Sequence, residues 1–265
     1  MALARAQKHL EKYSHENRIQ RFDTLSATVA LAEAFQRAAE CPEGGIGTLS
    51  EKLIHKTLKY YIEPNDVNHE VKYASFVADI MNENGITEIQ SASFQYLARK
   101  LSAFLPFSKV TLVCPIQNIK YLTTVFPDGH TERKKSPRHK GLSDVAIELY
   151  KIREFIGNEN LTVKLLFLEI EAERHTLSGK SRTRYKKGIA YPTDIIKEIT
   201  LKKAEDYRIF LPDTLCENFT SKEFYKAIGA RAKFSYYALK LCEYFGFISA
   251  VGKSGNAIIY KKCKL

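Results

Sequence analysis

Hydrophobic and polar positions follow two different periods along this chain, and the changes of period predict its first elements. Apolar residues recur every three to four positions at 49–62 and again at 94–105, the spacing of amphipathic helices. Between them, residues 70–91 form two β-type runs around Asn84-Gly85. A near-continuous apolar run at 109–115 predicts a strand that is covered on both faces. The predicted order is therefore helix, hairpin, helix and strand.

The Asn84-Gly85 pair predicts the position of the hairpin turn. Both central residues of a type I′ turn need positive φ, which Asn and Gly tolerate. With these two residues as the loop, Asp79 pairs with Gln90 and lies diagonal to Glu88 on one face. A three-residue loop would instead move Asp79 to the other face. In the two-residue register, the opposite face is expected to enter the core and carries Phe76, Ala78, Ile80 and Ile89.

Two carboxylates on one hairpin face indicate either a metal site or an exposed polar face. The charges of Asp79 and Glu88 would repel at this distance, and the repulsion would raise the pKa of one carboxyl unless a cation lay between them. A hard divalent ion such as Mg²⁺ takes one or two carboxylates together with water and phosphate oxygens. Spacing alone favours neither interpretation over the other.

The segment from Asp79 to Gln90 resembles the motif of the PD-(D/E)xK phosphodiesterase superfamily. Asp79, eight further residues and then Glu88-Ile89-Gln90 match its E-x-Q variant, which is known from some type II restriction endonucleases. The core of that family is a helix, a three-stranded antiparallel sheet, a second helix and another strand, the order predicted above. The resemblance covers roughly residues 45–116. It implies an α/β fold with a restriction endonuclease-like mixed sheet flanked by helices.

The resemblance also implies roles for individual residues. Asp79, Glu88 and the Ile89 carbonyl would bind Mg²⁺ or Mn²⁺, and Glu51 on the first helix would assist directly or through water. Gln90 stands where the family usually has lysine. As a neutral amide, it would orient the attacking water by hydrogen bonding without supplying a positive charge.

Other residues near the motif are candidates for the missing cation. Lys72 is placed on the face opposite Asp79, so a regular strand would keep it away from the site. Arg99 and Lys100 follow on the second helix, where a solvated charge is favoured over a phosphate contact. His55 lies one turn after Glu51 and could share its side of the helix.

Positive charge is concentrated in two segments that are predicted to be loops. The chain has a net charge of +11, which favours a polyanionic partner, with nucleic acid first and an anionic membrane surface a distant second. One loop, at 130–140, follows a hairpin with its turn at residues 127–129 and precedes a helix that starts near Ser143. The other occupies 174–187. Solvated loops without a ligand are the alternative to phosphate contacts. The candidate nucleic-acid contacts are Arg133, Lys134, Lys135, Arg138, Lys180, Arg182, Arg184, Lys186 and Lys187.

A second strong strand is predicted at 161–171. Glu169, Glu171 and Glu173 alternate onto one of its faces. Pairing with nearby Lys and Arg is favoured over a second carboxylate cluster.

The last fifty residues are predicted to form a separate unit. Two helices, at 219–229 and 232–245, precede a hairpin with its turn at 252–255, an order that resembles a winged helix-turn-helix. Its first helix would come from residues 213–217 or from 195–203. In that family the second helix enters the major groove of DNA, although such units also dock proteins. The residues placed against DNA are Arg231, Lys233, Ser235, Tyr236, Lys240 and, on the wing, Lys253.

Composition excludes several other classes of protein. No apolar run is long enough to span a membrane, and no secretory signal is present at the start. The five cysteines have no CxxC pair, which argues against a zinc ribbon or a disulfide framework and for a reducing cytoplasm. Residues 1–40 are expected to be largely helical and either to pack on the core or to mediate formation of a homodimer.

These observations predict a cytoplasmic, Mg²⁺-dependent endonuclease that acts on DNA, double-stranded in the first instance. The predicted units are a helical region at 1–40, a nuclease-like domain at 41–175, a basic loop with a connecting helix at 176–212, and a winged helix at 213–265. The architecture resembles the endonuclease subunit of Tn7-like transposition systems, while restriction and phage defence are equally open. The alternative is a non-catalytic DNA-binding regulator or adaptor with a degenerate nuclease fold.

Overall fold

The computed structural model describes residues 21–40, 49–177 and 185–263. The first part of the chain contains the following elements: α1 (Arg21–Glu40), α2 (Leu49–Ile62), β1 (His69–Tyr73), β2 (Phe76–Asn82), β3 (Gly85–Ile89), α3 (Phe94–Phe104), β4 (Val110–Val125), β5 (Thr131–Lys135), α4 (Leu142–Lys151), β6 (Leu161–Thr176) and β7 (Tyr185–Leu201). A 3-10 helix, Ala204–Phe210, then leads to the C-terminal elements: β8 (Asn218–Thr220), α5 (Ser221–Ile228), α6 (Ala232–Tyr244), β9 (Ile248–Ser254) and β10 (Ala257–Lys262).

A seven-stranded mixed sheet is the centre of the molecule. Its hydrogen-bonded order is β1-β2-β3-β4-β6-β7, and β5 pairs with the second half of β4. β4 runs parallel to both β3 and β6, whereas the other neighbouring pairs are antiparallel. The prediction of an α/β fold with a mixed sheet flanked by helices is confirmed at this level. The predicted helices at 49–62 and 94–105 and the helix near Ser143 are α2, α3 and α4.

Apolar layers cover both faces of this sheet. One core cluster joins the sheet to α3 and α4 through residues such as Leu97, Leu101 and Leu149. The other joins it to α1 and α2 through Leu31 and Leu58. Burial on both faces explains the near-continuous apolar run at the start of β4. It also corrects the expectation of a single core face on the hairpin, because Ala78 belongs to the first cluster whereas Ile80 and Ile89 belong to the second.

The hairpin turn lies one residue earlier than predicted. Asn82 pairs with Gly85 and Met81 with Ile86, so Glu83 and Asn84 form the loop. Continuing this register places Asp79 opposite Glu88, where the sequence placed it opposite Gln90 and diagonal to Glu88. Asn84 does not adopt the positive φ that a type I′ turn would require of it.

Gly85 is required by close packing against β4 and by its own backbone conformation. Its φ is +115°, and a Cβ at this position would lie 2.4 Å from the carbonyl oxygen of Lys109. The Ile86 N–H donates to the same carbonyl at 2.9 Å. The glycine that suggested a turn therefore marks the place where β3 and β4 come together.

Both segments that were predicted to be basic loops contain strand residues. The predicted hairpin strand at 121–126 is the second half of the long strand β4, and basic residues 131–135 form β5 beside it. Arg174 lies in β6, and Lys186 and Lys187 lie in β7. Lys180, Arg182 and Arg184 lie outside the described residues. The predicted connecting helix at 195–203 is instead the end of β7, where the β-branched residues 193, 195, 196, 199 and 200 favour an extended chain.

The C-terminal elements have the predicted order of two helices followed by a hairpin. Their small sheet has the order β8-β10-β9. No helix forms at 213–217, and the 3-10 helix Ala204–Phe210 precedes this unit instead. Phe224 and Leu239 belong to the same core cluster as Leu97, and Tyr237 of α6 lies 5.4 Å from Tyr150 of α4 between ring centroids. The C-terminal unit is therefore packed directly onto the main body.

The N-terminal helix α1 packs on the opposite face of the sheet. Phe35 stacks on Tyr191 of β7 with a centroid distance of 4.4 Å, and Leu31 is buried beside α2. The helical structure expected for residues 1–40 is confirmed over Arg21–Glu40, while residues 1–20 lie outside the described part. Among the described helices, none has both the length and the apolar character needed to cross a bilayer.

Candidate active site

Asp79 lies on β2 just beyond the last paired residues of the hairpin. Its Oδ2 accepts a hydrogen bond from the Ile89 N–H at 2.8 Å and lies 3.1 Å from Nε2 of His55 on α2. Burial raises the pKa of Asp79, but the hydrogen bond and charge of His55, the Ile89 N–H and the charge of Lys59 together hold it below its usual range. Asp79 is therefore an anion at neutral pH.

Glu88 lies beside Asp79 and is almost completely buried, with 2% of its surface exposed. Its Oε2 accepts a hydrogen bond from Nζ of Lys100 at 2.8 Å, and its Oε1 is 3.4 Å from the Asp79 N–H. Burial and the charge of Asp79 raise the pKa of Glu88 to about 7, against the opposing effect of Lys100. The two carboxyls therefore differ in protonation near neutral pH.

Lys100 of α3 supplies the positive charge that the hairpin itself lacks. Besides its ion pair with Glu88, its Nζ donates to the Val77 carbonyl at 2.7 Å, which fixes the ammonium against β2. The interpretation of Lys100 as an ordinary solvated charge is therefore wrong. The sequence does indicate that Lys100 lies near the core-facing side of α3. Lys100 is three residues after Leu97 and four before Phe104, and both of these are buried on that helix.

Gln90 forms no hydrogen bond with the carboxylate of Asp79 or Glu88. Its side-chain amide donates to the Ala92 carbonyl at 2.5 Å, and its backbone N–H continues the β3–β4 ladder to Val113 at 2.9 Å. Lys72 is exposed on β1. Glu51 belongs to α2, but its side chain lies outside the described residues.

The donor set of Asp79 and Glu88 fits a hard divalent cation that keeps several water ligands. Mg²⁺ commonly uses one or two carboxylates, and a cation between these two would relieve the repulsion that raises the pKa of Glu88. Within the described ranges, however, no group of three or more His, Cys, Asp or Glu side chains is arranged to hold a metal. The Ile89 carbonyl and Glu51 stay the further ligands that the resemblance implies.

Several of the predicted DNA contacts already have protein partners. Arg133 forms an ion pair with Glu171 and stacks on Tyr121 at 3.7 Å, and exposed Lys134 pairs with Glu132. The Arg133–Glu171 pair confirms the expected pairing with a basic residue for Glu171, whereas the Glu169 carboxylate accepts a hydrogen bond from the Thr193 hydroxyl at 3.2 Å. Lys135 and Arg138 are both exposed and form no ion pair with a carboxylate of the described residues.

The predicted DNA-facing helix α6 is accessible only in part. Ser235 is fully buried and donates to the Ala230 carbonyl at 3.3 Å, so it cannot face DNA. Lys240 is partly buried and pairs with Glu243 at 2.6 Å. The remaining predicted contacts are exposed at the start of α6 and on β9: Arg231, Lys233, Tyr236 and Lys253.

Comparison with known proteins identifies a family for the main body. Residues 52–203 match the model of a domain of unknown function, DUF8091. The chain belongs to this family. The matched DUF8091 segment runs from α2 to just beyond β7, so it contains Asp79, Glu88 and Lys100 and excludes the C-terminal unit. Neither the curated proteins nor the solved structures include a match to the chain.

The raised pKa of Glu88 predicts a pH-dependent cost to stability. Because this pKa rises from 4.5 in a solvated chain to about 7 in the fold, the stability present at pH 4 is lost as the pH rises through 7. The shift corresponds to about 3 kcal/mol. Without divalent metal, Glu88→Gln should therefore be about 3 kcal/mol more stable than the wild type at pH 8 but only about 1 kcal/mol more stable at pH 5, measured by urea unfolding.

Glu83→Gln is the matched control, because Glu83 is exposed in the loop of the same hairpin. Its effect should be small and similar at both pH values. The raised pKa of Glu88 is contradicted if Glu88→Gln changes the free energy of unfolding by the same amount at pH 5 and pH 8. The lowered pKa of Asp79 lies below this pH window and should not contribute to the difference.

Proposed function

We propose that this protein is a metal-dependent deoxyribonuclease that hydrolyses phosphodiester bonds with Asp79, Glu88 and Lys100. One observation carries the proposal: the carboxylates of Asp79 and Glu88 lie on the adjacent strands β2 and β3, and a lysine from the neighbouring helix is held 2.8 Å from the buried Glu88. Two carboxylates and a cation beside them match the needs of phosphoryl chemistry, in which charge on oxygen must be stabilised.

Each residue has a defined task in this proposal. Asp79 and Glu88 would hold Mg²⁺ or Mn²⁺, with the Ile89 carbonyl and Glu51 as further candidate ligands. The bound ion would polarise the phosphate and lower the pKa of the attacking water. Lys100 would place its ammonium beside the negative charge that develops on the phosphate. Gln90 would orient water, provided that its amide exchanges its present bond to the Ala92 carbonyl.

Protonation links the site to pH. With a pKa of about 7, Glu88 would release its proton when a divalent cation binds, so cation affinity should rise with pH below neutrality. Asp79 stays ionised across this range and would provide the first electrostatic attraction for the cation.

The C-terminal unit would contribute to DNA binding as a winged helix. Its exposed residues Lys233 and Tyr236, at the start of α6, would face the major groove, and Lys253 on β9 would contact the backbone. Restriction, phage defence and transposition are the settings in which such a cytoplasmic enzyme would act.

Cleavage of supercoiled plasmid tests the proposal. The purified chain should convert the plasmid to nicked or linear products with Mg²⁺ or Mn²⁺ and leave it intact with EDTA, as followed on agarose gels. If neither metal supports cleavage of plasmid, linear duplex or single strands, the enzyme assignment is wrong. Retarded but uncut DNA would then support the non-catalytic alternative.

A non-catalytic DNA-binding adaptor is the second candidate. The bond between the Gln90 amide and the Ala92 carbonyl favours it, because this residue stands where a nuclease of the resembled family would carry its lysine. The two candidates differ in one respect that can be measured, since an adaptor needs the basic surface but not the carboxylate pair.

A further inference from the structure

A groove with a volume of about 900 Å³ separates the main sheet from the C-terminal unit. One wall comes from β4 and the connection between β5 and α4, and it includes Lys120, Arg138 and Lys140. The facing wall comes from the turn between α5 and α6, and it includes Arg231 at the start of α6. The two walls belong to parts of the chain that the sequence treated as separate domains.

The positive charges of this groove have no carboxylate partners within the described chain. Lys120 is half-buried, and the groove lies next to β7, whose Lys187 is close enough to influence it. Burial, Lys187 and Lys140 together lower the pKa of Lys120. None of the ion pairs among the described residues involves Lys120, Arg138, Lys140, Lys187 or Arg231. The acidic residue of the lining, Asp144, accepts a hydrogen bond from the Gly141 N–H at 2.8 Å.

Unpaired cations that repel each other in a groove favour an anionic occupant. The charges stand on both walls and therefore suit several phosphates in a row better than a single small anion. The α6 helix begins here without a side-chain cap, so the positive end of its dipole adds to the same field.

The position of the groove along β4 favours a polymer. Val113 of this strand bonds to Gln90 beside the carboxylate pair, whereas Gln117 and Lys120 lie four and seven residues further on. At the rise of an extended strand, these residues are about 13 and 23 Å beyond Val113. A ligand that reaches both the carboxylate pair and Lys120 must therefore be roughly as long as two thirds of one turn of duplex DNA.

We infer that this groove binds the phosphodiester backbone of duplex DNA, with Lys120 on one wall and Arg231 on the other contacting phosphates. The inference rests on the proposed nuclease function for the identity of the polymer. It assigns to Lys120, which the sequence did not single out, the central phosphate contact between the carboxylate pair and the C-terminal unit.

Fluorescence anisotropy with a short labelled DNA duplex tests this site in EDTA, where cleavage cannot interfere. Lys120→Ala should weaken binding about fivefold to tenfold and reduce the slope of log affinity against log salt by about 1. Lys120→Arg should keep most of the affinity. Lys197→Ala is the matched control, because Lys197 is exposed on β7 about 33 Å along the strand from Lys187.

Equal affinities for Lys120→Ala and Lys197→Ala, with both variants folded by circular dichroism, would overturn the site. Tighter, Lys120-dependent binding to single-stranded RNA or to anionic vesicles would overturn duplex DNA as the ligand. The two proposals fail separately: Lys120-dependent binding without any cleavage contradicts the nuclease, whereas cleavage that is indifferent to Lys120 contradicts the groove.

Discussion

Replacing Asp79 with asparagine should reduce Mg²⁺-dependent DNA cleavage by about a thousandfold or more. Asparagine retains the size of the side chain but removes the charge that remains ionised at neutral pH. A loss of about 4 kcal/mol of transition-state stabilisation, a modest share for a metal site, corresponds to this factor. Initial rates of plasmid nicking at saturating DNA measure the effect.

Asp213→Asn provides the matched control, since Asp213 is exposed and lies far along the chain from the hairpin. Its cleavage rate should equal that of the wild type. DNA affinity in EDTA should be nearly unchanged in both variants, which separates a catalytic defect from a binding defect. Cleavage by Asp79→Asn at the rate of Asp213→Asn would remove Asp79 from the site.

Replacing Lys100 with methionine should lower the cleavage rate by about a hundredfold, and by more than Gln90→Ala does. Methionine keeps most of the apolar length of the side chain but removes the ammonium that lies 2.8 Å from Glu88. The loss of one preorganised electrostatic contact in a buried site typically costs this much. Lys100 also lowers the pKa of Glu88, so its removal should shift the pH dependence of cleavage to higher pH.

Arg99→Met is the control for this experiment, because Arg99 is the exposed neighbour of Lys100 on α3. A second variant, Lys100→Met with Gln90→Lys, returns a cation to the position that the resembled family uses. Partial recovery of the rate would support an electrostatic role for Lys100. If Lys100→Met cleaves as fast as Arg99→Met, the lysine only supports the fold.

Much of the site could be predicted from sequence because it depends on local periodicity. The pattern of apolar residues is sufficient to predict the hairpin, α2, α3 and the start of β4. The hairpin alone then brings Asp79 near Glu88. The exact turn could not be predicted, because Gly85 is required by close contact with the backbone of Lys109, which precedes β4 and is far from Gly85 in the sequence. A turn signal and a packing constraint look alike in a sequence.

The remaining differences also arise from tertiary contacts. From sequence alone, Lys100 has the pattern of a surface charge. Only the tertiary structure places it beside the Val77 carbonyl of β2. Residues 195–203, most of which form the end of β7, have an apolar pattern that fits either a helix or a strand. Pairing with β6 decides in favour of the strand. The burial of Ser235, in contrast, agrees with helical periodicity, because it lies three residues before Ala238 and seven before Cys242, which are both buried on α6.

The shared core between the main body and the C-terminal unit has a consequence for how DNA would be cut. Phe224 and Leu239 pack into the same cluster as Leu97, so no flexible tether separates the two units. A duplex that contacts the start of α6 would then meet the carboxylate pair at a constant offset. The number of base pairs between the DNA contact at α6 and the cleaved phosphodiester bond would therefore be fixed by the fold.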